Sequence, residues 1–313
     1  MPQETFEKRY TVEGIPSVNI GNVHGQVTVQ PGEAGEVSIT AVKHEGERAD
    51  RTEIEIWQEA DGSVHARARQ EESGKLFSLW NRPARVDFSV RVPPEVNLAV
   101  KCVSADLEVH GLRGELQFKS VSGRIAAREV AGKASFESVS GRILGEKVSG
   151  ALKVRTVSGK VTLKDSDLPT LTATSVSGAM DLHTPLGEGP YHLKTVSGSV
   201  MMRVPEEAGG RVHFKSISGR ARFSQEVVSA TNGMHVPGAP RNQTYDLGGD
   251  GPEISFNSVS GSLNLIGPED DSELAQAPAE EEPAPQPSNR LAVLERIASG
   301  EMSVEDGIAA MKT

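Results

Sequence analysis

The sequence has a single cysteine, few aromatic residues and no long hydrophobic run. Cys102 is the one cysteine in 313 residues, which excludes an intramolecular disulfide and agrees with a reducing compartment. We expect it to be a small buried hydrophobic residue. No window approaches the roughly 18 apolar residues that span a bilayer, and the N-terminus lacks the apolar stretch of a signal peptide. These absences predict a cytoplasmic protein without a transmembrane segment.

Sequence signals of catalysis and of metal binding are also missing. The 8 histidines are scattered without the spacing of metal ligands and without a cysteine pair beside them. No Gly-x-Ser-x-Gly elbow presents a serine nucleophile, and no histidine or acid recurs beside the many Val-Ser-Gly serines. The sequence therefore predicts no metal, no cofactor and no enzyme activity.

The tetrad Ser-Val-Ser-Gly, or a close variant of it, recurs through the second half of the chain. Its copies end at Gly123, Gly141, Gly159, Gly178, Gly198, Gly219 and Gly261. Consecutive glycines are 18, 18, 19, 20, 21 and 42 residues apart. A short, nearly constant period is the signature of stacked coils that bury their apolar sides against one another. The long last interval predicts one coil with a surface insertion near residues 224–250, which is rich in glycine, proline and asparagine.

The positions around the repeat glycine indicate what each residue does. Apolar residues occur seven and five residues before it, as in Leu116 and Phe118. A second apolar pair occurs two and four residues after it, as in Ile125 and Ala127. This period of two predicts two short strands per coil, each with one buried face. We expect the hydroxyl three before the glycine to hydrogen-bond the turn backbone, and the glycine to adopt a left-handed or otherwise strained conformation. The predicted fold class is all-β, a β-solenoid (β-helix-like) with coils of about 18–21 residues.

Residues 1–100 contain period-two stretches of their own. These cover residues 17–20, 26–30, 36–43, 51–58, 63–70 and 86–92. We interpret residues 1–100 as the irregular start and cap of the same stack, because a terminal coil otherwise exposes a sheet edge and part of the core. Residues 101–267 are then the regular coils.

The composition changes abruptly after residue 267. Residues 268–287 are rich in acidic residues and proline, which predicts a disordered, extended linker. Residues 288–313 predict a helical hairpin, with a break at Gly300 and a second helix from Ser303. Its apolar stripe comprises Leu291, Leu294, Ile297, Val304, Ile308 and Met311. Helices this short are marginal alone, so we expect the hairpin to dock on the open end of the solenoid, on a second copy as a homo-oligomer, or on a protein partner.

Charge is distributed unevenly along the chain. Residues 101–225 carry 18 lysines and arginines against 12 acidic residues, whereas residues 268–313 carry 3 against 11. Basic residues recur four before the repeat glycine (Lys119, Arg155, Lys194 and Lys215) and one after it (Arg124, Arg142, Lys160 and Arg220). If the coils stack in register, these side chains form a basic column beside the corner that could bind a polyanion: nucleic acid, an anionic glycan or a membrane surface. The alternatives are a solvated edge that deters edge pairing and an intramolecular site for the acidic linker.

The run Val-Asp-Phe-Ser-Val-Arg-Val-Pro-Pro-Glu-Val-Asn-Leu at residues 86–98, followed by the Ser-Val-Ser-Gly-Arg-Ile ladder, resembles the bacterial putative-adhesin β-strand-repeat family of unknown function. The closing residues 294–308 are similar to short C-terminal helical-hairpin oligomerisation domains of the SHOCT type. The resemblance implies a β-solenoid fold and an adhesin-like binding role, and it brings no catalytic residues with it.

Together these features predict a non-enzymatic β-solenoid scaffold or adhesin-like binding protein, with a tethered hairpin for self-association or partner recruitment. One alternative is a polyanion-binding module that uses the basic column. A second is a β-helical carbohydrate-active enzyme, which would need two carboxylates facing each other across a cleft. Asp165, Asp167 and Asp181 lie near one turn, and nothing in the sequence marks them further.

Overall fold

The computed structural model describes residues 3–44, 52–70, 84–205, 208–224, 227, 229–232 and 241–267. Every regular element in these residues is a β-strand, so the all-β expectation is confirmed for them. The predicted linker and hairpin, with the apolar stripe from Leu291 to Met311, lie outside the described residues. Within the described residues, no helix is long and apolar enough to cross a membrane.

The strands form two sheets, numbered here in chain order and given in spatial order. Sheet A consists of β1 (Gln3–Thr11), β4 (Glu36–His44), β7 (Arg85–Val92), β3 (Gly25–Pro31), β9 (Asp106–His110), β11 (Ile125–Arg128), β13 (Ile143–Glu146), β15 (Val161–Lys164), β17 (Met180–His183), β19 (Ser199–Arg203), β25 (Ser262–Ile266) and β21 (Ala221–Phe223). Sheet B consists of β22 (Ser229–Asn232), β23 (Arg241–Asp246), β20 (Arg211–Ser216), β24 (Glu253–Ser258), β18 (Tyr191–Thr195), β16 (Asp167–Ser175), β14 (Ser149–Thr156), β12 (Ala131–Ser138), β10 (Arg113–Ser120), β8 (Asn97–Cys102), β2 (Ser17–Asn22), β6 (Val64–Gln70) and β5 (Thr52–Gln58).

A coil in the middle of the stack contributes one strand to each sheet. In the coil of residues 113–128, β10 lies in sheet B, the Ser-Val-Ser-Gly corner follows, and β11 lies in sheet A. The strands pair in parallel with the equivalent strands of the next coil, so that Phe118 is opposite Phe136 and Ile125 is opposite Ile143. Equivalent residues therefore stack in straight rows, which is the arrangement of a two-sheet solenoid.

The apolar rows of both sheets meet in one core. Leu116, Phe118, Ile125 and Ala127 are each 0% exposed, and β10 alternates buried with exposed residues, whereas Ala126 of β11 is buried as well. The rings of Phe118 and Phe136 stack in parallel with their centroids 5.3 Å apart. Each such buried side chain contributes about 1.5–3 kcal/mol, but one coil gains this only from its neighbours on both sides. The predicted period-two strands of the repeat are confirmed.

The order of coils in space differs from their order in the chain at the C-terminal end. The chain passes from the coil of residues 191–203 to the coil of residues 211–223, and only then to the coil of residues 253–266. In space, β24 lies between β18 and β20, and β25 lies between β19 and β21. The last coil is thus inserted between two earlier ones. Part of the predicted insertion, β22 and β23, pairs antiparallel and extends sheet B.

A similar rearrangement occurs at the N-terminal end. All the period-two stretches expected before residue 93 form strands, which confirms that expectation. However, β7 lies between β3 and β4, and β6 lies between β2 and β5, so β6 and β7 cover β2 and β3. At the outer edges β1 pairs antiparallel with β4, and β5 pairs antiparallel with β6. The parallel stack is in this way covered by antiparallel strands.

Candidate polyanion-binding face

The serines and threonines of the repeat are structural. The Ser120 hydroxyl donates to the Gly123 carbonyl at 2.8 Å, and the same bond recurs from Ser138 to the Gly141 carbonyl at 2.9 Å. The Ser175 hydroxyl likewise donates to the Gly178 carbonyl at 3.0 Å, and it also accepts a hydrogen bond from the Gly178 amide at 2.8 Å. These hydroxyl groups are buried and so need such partners. The expectation that the hydroxyls bond the turn backbone is confirmed.

The corner glycines are required for a reason other than the one expected from the sequence. None of the seven has a positive φ, so the left-handed conformation is wrong for them. A Cβ on Gly159 would instead lie 2.1 Å from the carbonyl oxygen of Gly141, and a Cβ on Gly141 would lie 2.1 Å from that of Gly123. The corners of successive coils approach so closely that no side chain fits between them.

Left-handed backbone occurs at the opposite turn of the coil. In four successive coils a residue at this turn has a φ of 47–67°, namely 67° at Gly111, 52° at Glu129, 52° at Lys147 and 47° at Asp165. The side chains at this turn pair across coils, as Lys147 does with Glu129 at 3.3 Å. Sequence reasoning missed the pairing of charges at this turn, although its spacing of 18 residues is visible in the chain. Its charges largely compensate one another.

The basic residues four before the glycine stand on the outer face of sheet B. Together with their equivalents they form a row that we call the sheet B ladder: Lys101, Lys119, Glu137, Arg155, Thr174, Lys194, Asn257 and Lys215, in spatial order. Neighbouring positions are about 4.8 Å apart, the spacing of strands in a sheet. Five of the eight positions are basic and one is acidic. The ladder includes all four residues predicted for this position.

The cations of the sheet B ladder differ in how far they are neutralised. Lys119 pairs with Glu137 at 2.9 Å. Lys101, Lys194 and Lys215 are exposed, and none of them forms an ion pair with another residue that the structure describes. In the adjacent outward row, Lys153 is exposed as well. The cations of the ladder without an ion pair among the described residues are therefore at its two ends, and Lys153 stands beside its middle.

The basic residues one after the glycine form a shorter row on the sheet A side of the corner. Backbone hydrogen bonds stack Arg124, Arg142 and Lys160 in consecutive coils. Beyond Lys160 the row continues through Ala179, Ser199 and Ser262 before it reaches Arg220. Arg124 also pairs with Glu108 at 2.8 Å. The single column expected from the sequence is thus two rows on different sheets, of which the second is interrupted.

Cys102 occupies the hydroxyl position of its coil. It pairs with Ser120 in register and is 5% exposed, which confirms the expected burial. Burial, with a smaller contribution from the charge of Asp106, raises the pKa of the thiol to about 12. A thiol with so high a pKa is not a reactive nucleophile at neutral pH.

Two of the three acids weighed for catalysis, Asp165 and Asp181, lie beside basic side chains. Asp181 pairs with Arg203, and Asp165 lies 3.2 Å from the ring of His183. No cluster of three or more His, Cys, Asp or Glu side chains that could hold a metal occurs in the described ranges.

The sequence that folds into these stacked coils matches a known family. The model of the family called Toastrack DUF4097 matches residues 17–242. The chain belongs to the Toastrack DUF4097 family. The match begins at β2 and ends within β23, so it includes most of the Toastrack coils and excludes the predicted linker and hairpin.

Solved structures were also similar to this Toastrack chain. One is a putative adhesin from Parabacteroides merdae ATCC 43184, at 12% identity over 84% of this chain and 96% of that chain, with a TM-score of 0.48. Another is a putative lipid binding protein from Parabacteroides distasonis ATCC 8503, at 12% identity over 83% of this chain and 96% of that chain, with a TM-score of 0.48. No curated protein matches the sequence.

Proposed function

We propose that this Toastrack protein is a non-enzymatic binding scaffold that holds an extended polyanion on the outer face of sheet B. The observation that carries the proposal is the sheet B ladder, which repeats cations along a straight row of stacked strands. Lys194 and Lys215 are separated by Asn257, so these two cations are two strand spacings apart, about 10 Å. A linear polymer with regularly spaced negative charges can contact many such cations at once.

The rigidity of the stack favours such binding. The ladder residues are fixed by strand pairing on both sides, so their backbone loses little freedom when a ligand binds. The binding free energy would come largely from the release of counterions around the polymer, which makes affinity fall steeply with salt. Within the ladder the one acid, Glu137, is already neutralised by Lys119.

Heparin affinity measured over a range of salt concentrations tests the proposal. The variant carries Lys153→Gln, Lys194→Gln and Lys215→Gln, and the matched control carries Lys8→Gln, Lys147→Gln and Lys164→Gln, which removes equal charge from exposed sites elsewhere. We expect the sheet B variant to bind more weakly and its log affinity to depend less steeply on log salt, by roughly 2 to 3 in the slope. Equal losses in the two variants would contradict a specific face, and no binding by the parent protein would contradict the function.

We further propose that the hairpin of residues 288–313 gives the scaffold self-association or partner recruitment. The apolar stripe from Leu291 to Met311 supports this, because two short helices need a surface to cover them.

A further inference from the structure

A groove of about 460 Å³ crosses the outer face of sheet B near its N-terminal end. It follows β2, with β6 on one side and β8 on the other. The floor is formed by the outward residues of β2, Asn19 and Gly21, which are short, whereas β6 carries longer side chains. The groove thus arises from a row of small residues in the middle strand.

Two cations face each other across the floor of this groove. The register places Gly21 directly between Arg67 and Lys101, about 10 Å apart across two strand spacings. The stem of Arg67 leans over the floor, since its Cγ lies 3.6 Å from where a Cβ on Gly21 would be. Both cations are exposed, and neither forms an ion pair within the part of the chain that the structure describes.

The surroundings of the two cations are suited to an anion. No acidic side chain is among the described residues that line the groove. The nearest acid in register, Glu55, is opposite Arg67 on β5, which is the side of β6 away from the groove. Arg69 and His65 add to the β6 wall. A guanidinium and an ammonium on opposite walls can hold the oxygens of one oxyanion from two sides.

The groove is larger than a bare anion requires, and part of its lining is not charged. Val23 and Val103 are partly exposed and line it, and the Asn19 amide faces it. Amide and apolar groups contribute to the binding of a ligand that has hydroxyls and a carbon skeleton as well as a charge.

We infer that this groove is a discrete site for a sugar unit that carries a sulfate or phosphate group. Arg67 and Lys101 would bind the oxyanion, and Val23 and Val103 would contact the ring. The inference deepens the proposed function, on which it rests in part: Lys101 also begins the sheet B ladder, so the bound unit would be the end of the polymer that the ladder holds.

Chemical-shift mapping on the full-length protein tests the site, with glucose 6-sulfate, glucose 6-phosphate, glucose and inorganic sulfate as separate probes. We expect the two charged sugars to shift the amides of Asn19, Gly21 and Lys101, and to bind at least about tenfold more tightly than either glucose or inorganic sulfate. A preference between the two charged sugars would identify the oxyanion. The variant Arg67→Gln with Lys101→Gln should lose this binding, while Lys194→Gln with Lys215→Gln, at the other end of the ladder, should keep it.

The outcomes separate this site from the wider face. If heparin binds through Lys153, Lys194 and Lys215 but no charged sugar shifts the groove amides, the site is wrong and the proposed function stands. If the charged sugars bind in the groove but heparin does not depend on the three lysines, the polymer face is wrong. Equal binding of inorganic sulfate would contradict the sugar contacts, and unchanged binding by the Arg67 and Lys101 variant would contradict the two-cation arrangement.

Discussion

Glycine at the corner of the seven repeat coils is a packing requirement between neighbouring coils. The amide planes of successive corners are so close that the Cβ of any residue at Gly159 would overlap the Gly141 carbonyl oxygen. The same contact recurs from Gly178 to Gly159 at 2.1 Å. A substitution therefore acts on two coils at once, and the clash is with backbone, which cannot rotate away.

The variant Gly159→Ala should lower the free energy of unfolding by about 1–3 kcal/mol, as overpacking does in a tight interior. The measurement is chemical denaturation followed by circular dichroism. Gly21→Ala is the matched control, because Gly21 also has no positive φ and its new Cβ would be in ordinary contact at 3.6 Å. A parent-like stability of Gly159→Ala would show that the corners can separate without cost.

Coils are close to interchangeable, yet their order in space is specific. The coils of residues 211–223 and 253–266 both present a buried aliphatic residue and a phenylalanine to the core, Val212 with Phe214 and Ile254 with Phe256. Phe214 and Phe256 stack with centroids 5.3 Å apart. Because either coil offers a similar surface, the preceding coil of residues 191–203 can be extended by one or the other. In the observed order, residues 253–266 lie between two coils that precede them in the chain.

Truncation tests how far the coil of residues 211–223 depends on the coil of residues 253–266, which lies between it and the rest of the stack. A chain ending at residue 250 lacks β24 and β25, so β20 and β21 lose the parallel neighbours that bond them to the stack. We expect the amides of β20 to lose protection from hydrogen exchange in this chain, and to keep it in a control chain ending at residue 267. Retained protection in the shorter chain would show that residues 211–223 dock directly on residues 191–203.

The chain combines basic coils, residues 101–225, with an acidic segment, residues 268–313. Residues 101–225 carry an excess of six positive charges, and residues 268–313 an excess of eight negative charges. In the described residues the positive excess includes the exposed lysines of sheet B. The acidic segment would attract that face and compete with an external polyanion, while the predicted hairpin would add self-association or a partner.

Removal of residues 268–313 addresses both roles of this segment. If the acidic linker covers sheet B, the chain ending at residue 267 should bind heparin more tightly than the full chain at low salt, with the difference vanishing as salt is raised. If the hairpin mediates self-association, the same truncation should convert an oligomer to a monomer in light scattering after size-exclusion chromatography. Unchanged affinity would contradict the first role, and an unchanged mass would contradict self-association.

The strands, the corners and the buried rows could be predicted because each is set within one coil. Alternation of apolar residues gave the strand faces, and a repeat of 18–21 residues placed Lys119, Arg155, Lys194 and Lys215 in one row of sheet B. The predicted row one after the glycine was less accurate, because coils without a basic residue interrupt it before Arg220. The groove could not be foreseen, since it depends on β6 being the neighbour of β2 although some 40 residues separate them.

The amino-acid pattern was sufficient for the period, the parallel stacking and the charge of the outer face, because these follow from local alternation and from a repeat that every coil shares. Only the folded chain gave the order of the coils at both ends and the reason for the corner glycines. It also placed Arg67 and Lys101 on either side of Gly21. These features depend on which segments become neighbours. Equivalent coils offer nearly the same edge for pairing. The sequence of a single coil therefore does not specify its neighbour, which depends on the contacts made in the whole fold.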